Sequence, residues 1–331
     1  MTLAPVEIVE VGPRDGLQNE STLLATEDKV ELVRRAIVAG VRRIEVTSFV
    51  HPRLVPQMAD AEAVMAAVTA PGFLPPGVER DDVRFIGLVL NPRGLERALA
   101  AGVDEVNVVV AASETFSRRN QNIGVLEMLN AADLIAARAR EAGVALSAVI
   151  STAFGCPFEG EVPPQRVLEV ADRCIAAGYT EIAVADTIGV GVPAQVRELV
   201  TGIRALRPGG TDAVGDGTAG TLQLRAHFHN TRNTGYANAL AAVEGGVRVL
   251  DASIGGIGGC PFAPDATGNI ATEDLQYLLE RSGYSTGLDL AGLAATGTWV
   301  AGLLGREAPA LLGRAGPFPA TAPGGAATVE G

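Results

Sequence analysis

The feature that most constrains this chain is an alternation of β-rich runs with helical stretches that recurs eight times. The β-rich runs are Val6–Val11, Arg43–Ser48, Val83–Leu90, Val106–Ala111, Ala145–Ser151, Glu181–Ala185, Gln223–His229 and Arg248–Ala252. Between them, helical spacing covers Thr26–Ala39, Gln57–Thr69, Arg93–Ala101, Ile123–Ala142, Pro163–Ala177, Pro193–Leu206 and Asn233–Glu244, and a further helix begins near Thr272. Thr26 is placed to cap the first helix, Gly40 and Gly143 to stop the helices before them, and prolines open the stretch at Pro163. Strand–helix units with short connections specify a parallel sheet, and eight of them favour closure into an α/β (β/α)8 TIM barrel with extra C-terminal helices. The alternative is an open doubly wound sheet, but no Gly-x-Gly-x-x-Gly joins the first strand to the first helix.

Residues 1–304 are expected to form the barrel domain. Residues 305–331 are an Ala/Gly/Pro-rich tail, expected to be poorly ordered toward its end. The glycine-rich stretch Arg207–Thr221 lies between a helix and the next strand, on what would be the N-terminal face of a barrel, and reads as a flexible insertion.

Hydrophobic residues make up 47% of the 331 positions and charged ones 19%, which supports a large core. A net charge of -12 argues against a nucleic-acid-binding surface. Cys156, Cys174 and Cys260 are too few and too odd in number for a disulfide framework. No signal peptide or membrane-spanning run is apparent, so a cytoplasmic location is expected.

In a TIM barrel the chemistry sits at the C-terminal ends of the strands, and the unusual polar residues of this chain collect there. Arg14 and Asp15 follow the first strand, with Gln18 in the same loop; Glu45, Thr47 and Ser48 lie in the second. Asn107 is in the fourth strand, Glu114 beyond it, and Asp186 follows the sixth. Two of the chain's three histidines, His227 and His229, end the seventh strand two positions apart and so share a face. Such a pair suits a divalent metal, although buried histidines without a ligand role are the competing reading. With Asp15 supplying a carboxylate and Asn269 a neutral oxygen, the donor set fits Mg²⁺, Mn²⁺ or a similar ion better than structural zinc. A charge such as Glu45 inside a strand needs a partner, for which Arg14 is the obvious candidate, whether as part of a site or as a structural pair. Cys260 lies beside Gly255, Gly256, Gly258 and Gly259, in a loop able to close over a ligand. Its thiol is either a general acid or base or an inert buried group.

At these residues a family resemblance becomes specific. The run from Val11 to Glu20 (VGPRDGLQNE) resembles the opening motif of 3-hydroxy-3-methylglutaryl-CoA (HMG-CoA) lyases. Thr47–Val50, Val55–Met58, Ala111–Glu114, Gly155–Gly160, Asp186–Gly191, Gly258–Phe262 and Gly268–Leu275 are similar to the family in the same order. The resemblance implies a TIM barrel, usually a homodimer, that cleaves the acyl-CoA thioester HMG-CoA to acetyl-CoA and acetoacetate with Mg²⁺ or Mn²⁺. It implies Asp15, His227, His229 and Asn269 as metal ligands, Arg14 facing the thioester carbonyl and Cys260 on the loop. Glu45, Asp186 and Glu273 are implied as further polar members, with Glu45 and Glu273 behind the ligands and Gln18, Ser48 and Asn107 as candidates to touch substrate. Cleavage needs a base for the tertiary hydroxyl, either Asp186 or His227, and an acid for the enolate carbon, for which Cys260 is available.

The family pattern His-x-His-Asp-Thr-Tyr-Gly is altered here to His-x-His followed by Asn230, Thr231, Arg232 and Asn233. Arg232 is expected either to pair with a substrate carboxylate or to sit in solvent. The substitution bears on the substrate, and a related thioester such as citramalyl-CoA is the alternative to HMG-CoA. A Claisen-condensing transferase of the isopropylmalate or homocitrate synthase type is the competing class. The opening motif and the glycine loop with Cys260 favour the lyase.

Overall fold

The computed structural model describes residues 4–207, 222–259 and 268–318. Eight parallel strands, β1 (Glu7–Glu10), β2 (Arg43–Ser48), β3 (Arg84–Val89), β4 (Glu105–Ala111), β5 (Ala145–Ser151), β6 (Glu181–Asp186), β7 (Gln223–Phe228) and β8 (Val249–Ala252), form a closed barrel in sequence order. Closure is made by β8 pairing back onto β1, with Val9 opposite Asp251. The main outer helices are α1 (Thr26–Val38), α2 (Ala61–Val68), α3 (Pro92–Ala100), α4 (Glu114–Gln121), α5 (Val125–Glu141), α6 (Pro164–Ala177), α7 (Pro193–Ala205), α8 (Gly235–Glu244) and α9 (Thr272–Arg281). They are followed by α10 (Leu290–Leu303) and the single turn α11 (Leu312–Ala315). This is the expected (β/α)8 TIM barrel, and the doubly wound alternative is excluded by closure.

Alternation decides what each strand buries. One set of side chains faces the helices and joins the main core, as with Ile44, Phe85 and Val108. The other set fills the barrel. Part of it is aliphatic, with Val9, Val11, Ile86 and Val249 packed together. Another part is ionic: Arg43, Glu105, Glu181 and Arg225 are all buried. Arg43 donates to both oxygens of Glu105 and of Glu181, at distances from 2.7 to 3.0 Å. Arg225 lies 3.2 Å from Glu181. Burying such charges is tolerable only when each finds a partner.

The structure differs from the sequence reading in four places. Thr26 is the first helical residue, not the cap; its hydroxyl donates to Asp60 at 2.7 Å and ties α1 to the start of α2. Helix α4 occupies a stretch expected to be loop; Ser113 caps it by accepting from the Phe116 amide. Ala4–Pro5 pairs in parallel with Tyr284–Ser285 outside the barrel. Part of the expected tail is docked: the amides of Leu311 and Leu312 donate to Asp274 at 2.9 and 2.8 Å, and that of Ala310 to the Gly255 carbonyl. Most of the expected insertion (208–221) and the rest of the tail (319–331) lie outside the described residues.

Candidate active site and metal centre

The loop after β1 is a tight π-helical turn, Gly12–Gly16, which turns Arg14 and Asp15 over the barrel mouth. Glu10 fixes that turn. Its fully buried carboxylate accepts from the amides of Gly12 (2.8 Å) and Ile254 (2.9 Å) and from the Thr272 hydroxyl (2.7 Å). Burial pushes the Glu10 carboxyl up to about 7, against the pull of those bonds.

Arg14 is held from two sides. Its Nε donates to Glu45 at 2.7 Å, its Nη2 lies 2.5 Å from the same oxygen, and its Nη1 donates to Asp15 at 2.6 Å. Burial disfavours the guanidinium charge, but Glu45 and Asp15 outweigh it and keep Arg14 charged. Glu45 is in turn fixed by the Asn107 amide at 2.8 Å, and Asn107 accepts from Ser147.

Asp15 is where the remote segments meet. Its Oδ2 lies 3.8 Å from His227 Nε2 and 4.0 Å from His229 Nε2, and it accepts from the Asn269 amide at 3.0 Å. The backbone explains the arrival of Asn269: it forms a bridge with His229, flanked by bonds from the Asn230 amide to Gly268 and from the Ile270 amide to Phe228. Gly258 makes room for the crossing, since a Cβ there would stand 2.8 Å from Asn269 Nδ2 and 3.0 Å from Gly16 Cα. Burial would raise the Asp15 carboxyl, yet Arg14 and then the two histidines hold it well below the usual carboxylate range. Burial, reinforced by the neighbouring His227, lowers His229 to about 4. Burial would lower His227 too, but its bond to Asp251 and the charge of Asp15 raise it.

Asp15, His227 and His229 each offer a ligand atom, and these atoms lie within 4.8 Å of one another. Asn269 Oδ1 is buried beside them without a hydrogen-bond partner among the described residues. One carboxylate, two imidazoles and an amide oxygen without a partner form a donor set that fits a divalent cation.

Arg14, Asp15, His227 and His229 line a cavity of about 540 Å³ at the barrel mouth. Its floor includes Val109, Val149, Ser151 and Ala185, and its outer wall includes Leu54, Asn91, Phe116, Arg119 and Gln121. Gln18 lines it. Ser48 and Asn107 do not: Ser48 is fully buried and Asn107 stands behind Glu45, so neither is placed to touch a ligand. Asp186 ends β6 and spends both oxygens on the turn above it, accepting from the amides of Val190 and Gly191 at 2.9 Å each. Burial raises it nonetheless. Glu273 accepts from the Gly255 amide with both oxygens, anchors the glycine loop, and is pushed by burial up to about 8. Arg232 is exposed, as one of the two expectations had it, while its Nη1 donates to the carbonyls of Ile188 and Gly189 at 3.1 Å each and clasps the β6 loop. Glu114 is exposed and accepts from the Val125 amide at the start of α5. Cys260 lies outside the described residues. Among the described residues Cys156 and Cys174 are buried free thiols, and burial raises Cys174 to about 12.

Sequence reasoning missed Asp251, on β8, whose carboxylate is 3.2 Å from His227 Nδ1 and which also lines the cavity. A charge inside the run Val249–Ala252 was the available signal. No helix among the described residues is long and apolar enough to cross a membrane.

The geometry agrees with comparisons to known proteins. The chain is 46% identical over 313 residues to the (R)-citramalyl-CoA lyase of Chloroflexus aurantiacus, covering 94% of this chain and 95% of that one. It is 38% identical to the hydroxymethylglutaryl-CoA lyase of Bacillus subtilis, over 92% of this chain and 95% of that one. The crystal structure of the HMG-CoA lyase from Bacillus subtilis superposes with a TM-score of 0.83, covering 94% of this chain and 97% of that one at 38% identity. An HMG-CoA lyase from Acinetobacter baumannii, solved in complex with coenzyme A and 3-methylmalate, gives 0.84 at 34% identity over 95% and 96%. The HMGL-like family model matches residues 5–300. With the barrel, the ordered motifs and relatives matched over nearly their whole length, this chain belongs to the HMGL-like family of carbon–carbon lyases.

Proposed function

We propose that this protein is a metal-dependent lyase that cleaves the C2–C3 bond of a 3-hydroxy-3-methyl-acyl-CoA thioester, releasing acetyl-CoA and a keto acid. The observation that carries the reading is the convergence of Asp15, His227, His229 and Asn269 beside Arg14 at the end of one cavity. Those four residues would hold Mg²⁺ or Mn²⁺, which when bound supplies Lewis-acid polarisation of the substrate hydroxyl and fixes its orientation.

The chain's own groups do the rest. Arg14, clamped by Glu45 and Asp15, has its direction set before substrate arrives and donates to the thioester oxygen as enolate charge develops. The base for the hydroxyl proton is Asp186 or His227: burial raises Asp186, whose oxygens accept from the Val190 and Gly191 amides, and His227 lines the cavity with Nδ1 beside Asp251 and Nε2 toward Asp15. Cys260 then returns a proton to the enolate carbon.

Two acyl groups compete. (R)-Citramalyl-CoA, which would yield pyruvate, is favoured by the 46% relative; HMG-CoA, which would yield acetoacetate, is favoured by the relatives at 38–40% and by the opening motif. Purified enzyme with Mn²⁺ is to be assayed for acetyl-CoA release from (R)-citramalyl-CoA, HMG-CoA and longer 3-substituted glutaryl-CoAs. The ratio of kcat/KM values assigns the substrate. Loss of activity with EDTA, restored by Mn²⁺, supports the reading, and a chain that leaves every thioester intact refutes it.

A further inference from the structure

We infer that Asp251 is the positioning residue that fixes which nitrogen of His227 faces the cation site. This rests on the metal reading above and concerns the layer of the barrel behind it. His227 on β7 and Asp251 on β8 are register partners, so both side chains point into the barrel side by side. Asp251 Oδ2 stands 3.2 Å from His227 Nδ1. A carboxylate accepts, so Nδ1 is the donor and the lone pair of the neutral ring is left on Nε2, 3.8 Å from Asp15 Oδ2. His229 has no such support: its Nδ1 is buried without a hydrogen-bond partner among the described residues. Two histidines equivalent in the sequence are therefore unequal in the structure. One has its tautomer dictated from behind.

The dictating group is itself held. Arg225 Nε lies 3.4 Å from Asp251 Oδ1, Arg225 Nη1 lies 3.2 Å from Glu181, and Glu181 is bonded by Arg43. A run of alternating charges thus rises through the barrel from its ionic floor to His227. A carboxylate behind a ligating imidazole orients the ring and raises its basicity, and losing such a partner typically weakens metal binding about 10–100-fold.

The test uses substrate-free protein and MnCl₂ alone, with bound Mn²⁺ read by EPR, on wild type, Asp251→Asn and Asp251→Leu. Asn keeps an acceptor oxygen for Nδ1–H and is expected to hold Mn²⁺ within about threefold of wild type, whereas Leu is expected to weaken it by about 10–100-fold. Imidazole ¹⁵N shifts give a second, metal-free readout, simplified by there being three histidines in the chain. Wild-type His227 is expected to carry its proton on Nδ1, and a folded Asp251→Leu protein to lose that preference. A folded Asp251→Leu protein that binds Mn²⁺ like wild type overturns the proposal, and so does a wild-type His227 protonated on Nε2 alone. Wild type that binds no Mn²⁺ refutes the metal reading instead, and the tautomer measurement then decides the positioning role by itself.

Discussion

Replacing Arg43 by Met tests whether the ionic floor of the barrel is held by charge complementarity. In the native barrel Arg43 bonds Glu105 through Nε and Nη2 at 2.7 to 3.0 Å, and Glu181 through Nη1 and Nη2 at 2.8 and 2.9 Å. Without it, Glu105 keeps Arg84 at 3.7 Å, Arg225 at 4.0 Å and the Ser147 hydroxyl at 2.6 Å, Glu181 keeps Arg225 at 3.2 Å, and Arg225 must also serve Asp251 at 3.4 Å. Removing one partner from a buried ion pair while leaving the other costs about 3–5 kcal/mol. In a chain of this size that is a fall in Tm of about 6–10 °C, at roughly 2 °C per kcal/mol. The pH dependence gives a sharper test. Burial alone would raise the Glu105 carboxyl, but Arg43 outweighs it and holds the group at about 2. A depressed carboxylate contributes stability that is complete above the unfolded value near 4.3 and is lost as pH falls through the folded one. In Arg43→Met the largest opposition to burial is gone and only Arg225, Arg84 and the Ser147 hydroxyl remain, so protonation costs the variant less than it costs wild type. The gap in Tm between wild type and variant, measured by circular dichroism melts, should be widest at pH 6–8 and shrink below about pH 4.3. A variant within about 1 kcal/mol of wild type at pH 7, below the range for a broken buried pair, would refute the reasoning. So would a gap of equal size at pH 3.5.

Four further outcomes are expected. Arg14→Gln should lower kcat by about 10²–10³ while Mn²⁺ binding by EPR persists, because it removes a donor aimed at developing charge and no ligand; unchanged turnover would take Arg14 out of the mechanism. Cys260→Ala should slow turnover with little change in Tm, and equal activity would return that thiol to an inert role. Gly297→Ala, in α10, would set a Cβ against Glu273 Oε1 and 2.9 Å from Gly255 Cα, and should lose about 1–3 kcal/mol in guanidinium melts through overpacking; a neutral result would mean that the Glu273 side chain or the glycine loop can give way. Glu273→Gln tests the opposite pH sign from Glu105. Burial raises Glu273 to about 8, so the wild type should lose stability as pH rises from the unfolded value through 8. Gln still accepts from the Gly255 amide, so its melts should be flatter over that range; parallel curves would contradict the shift.

The barrel was legible because its pattern is local: each β-rich run and each helical stretch reports its own structure, and eight repeats leave few topologies. Helix α4 escaped because it is only eight residues long, capped by Ser113 and interposed in a connection, and its polar sequence reads as loop. The histidines of the candidate cation site were legible for a different reason, that histidines are scarce and these two stand at a strand end. What one sequence does not display is depth. Arg225 and His227 are two apart on the same face of β7, yet the first enters the ionic floor and the second the cavity. Their separation depends on the tilt of strands around the closed barrel, a property of all eight together.

The rule that a charge inside a strand demands a partner applies to Arg43, Glu105, Glu181 and Asp251 as much as to Glu45, to which alone it was applied. Glu105 also lay just outside the run read as the fourth strand. Once the barrel is closed, the same rule separates two kinds of buried charge. Arg43, Glu105 and Glu181 satisfy one another within the floor. Asp15 retains histidine nitrogens nearly 4 Å away, too far to bond it directly, with an amide oxygen that has no partner beside them. Charges that complete each other hold the barrel together; a buried set left incomplete is where a cation and substrate would supply the missing partners.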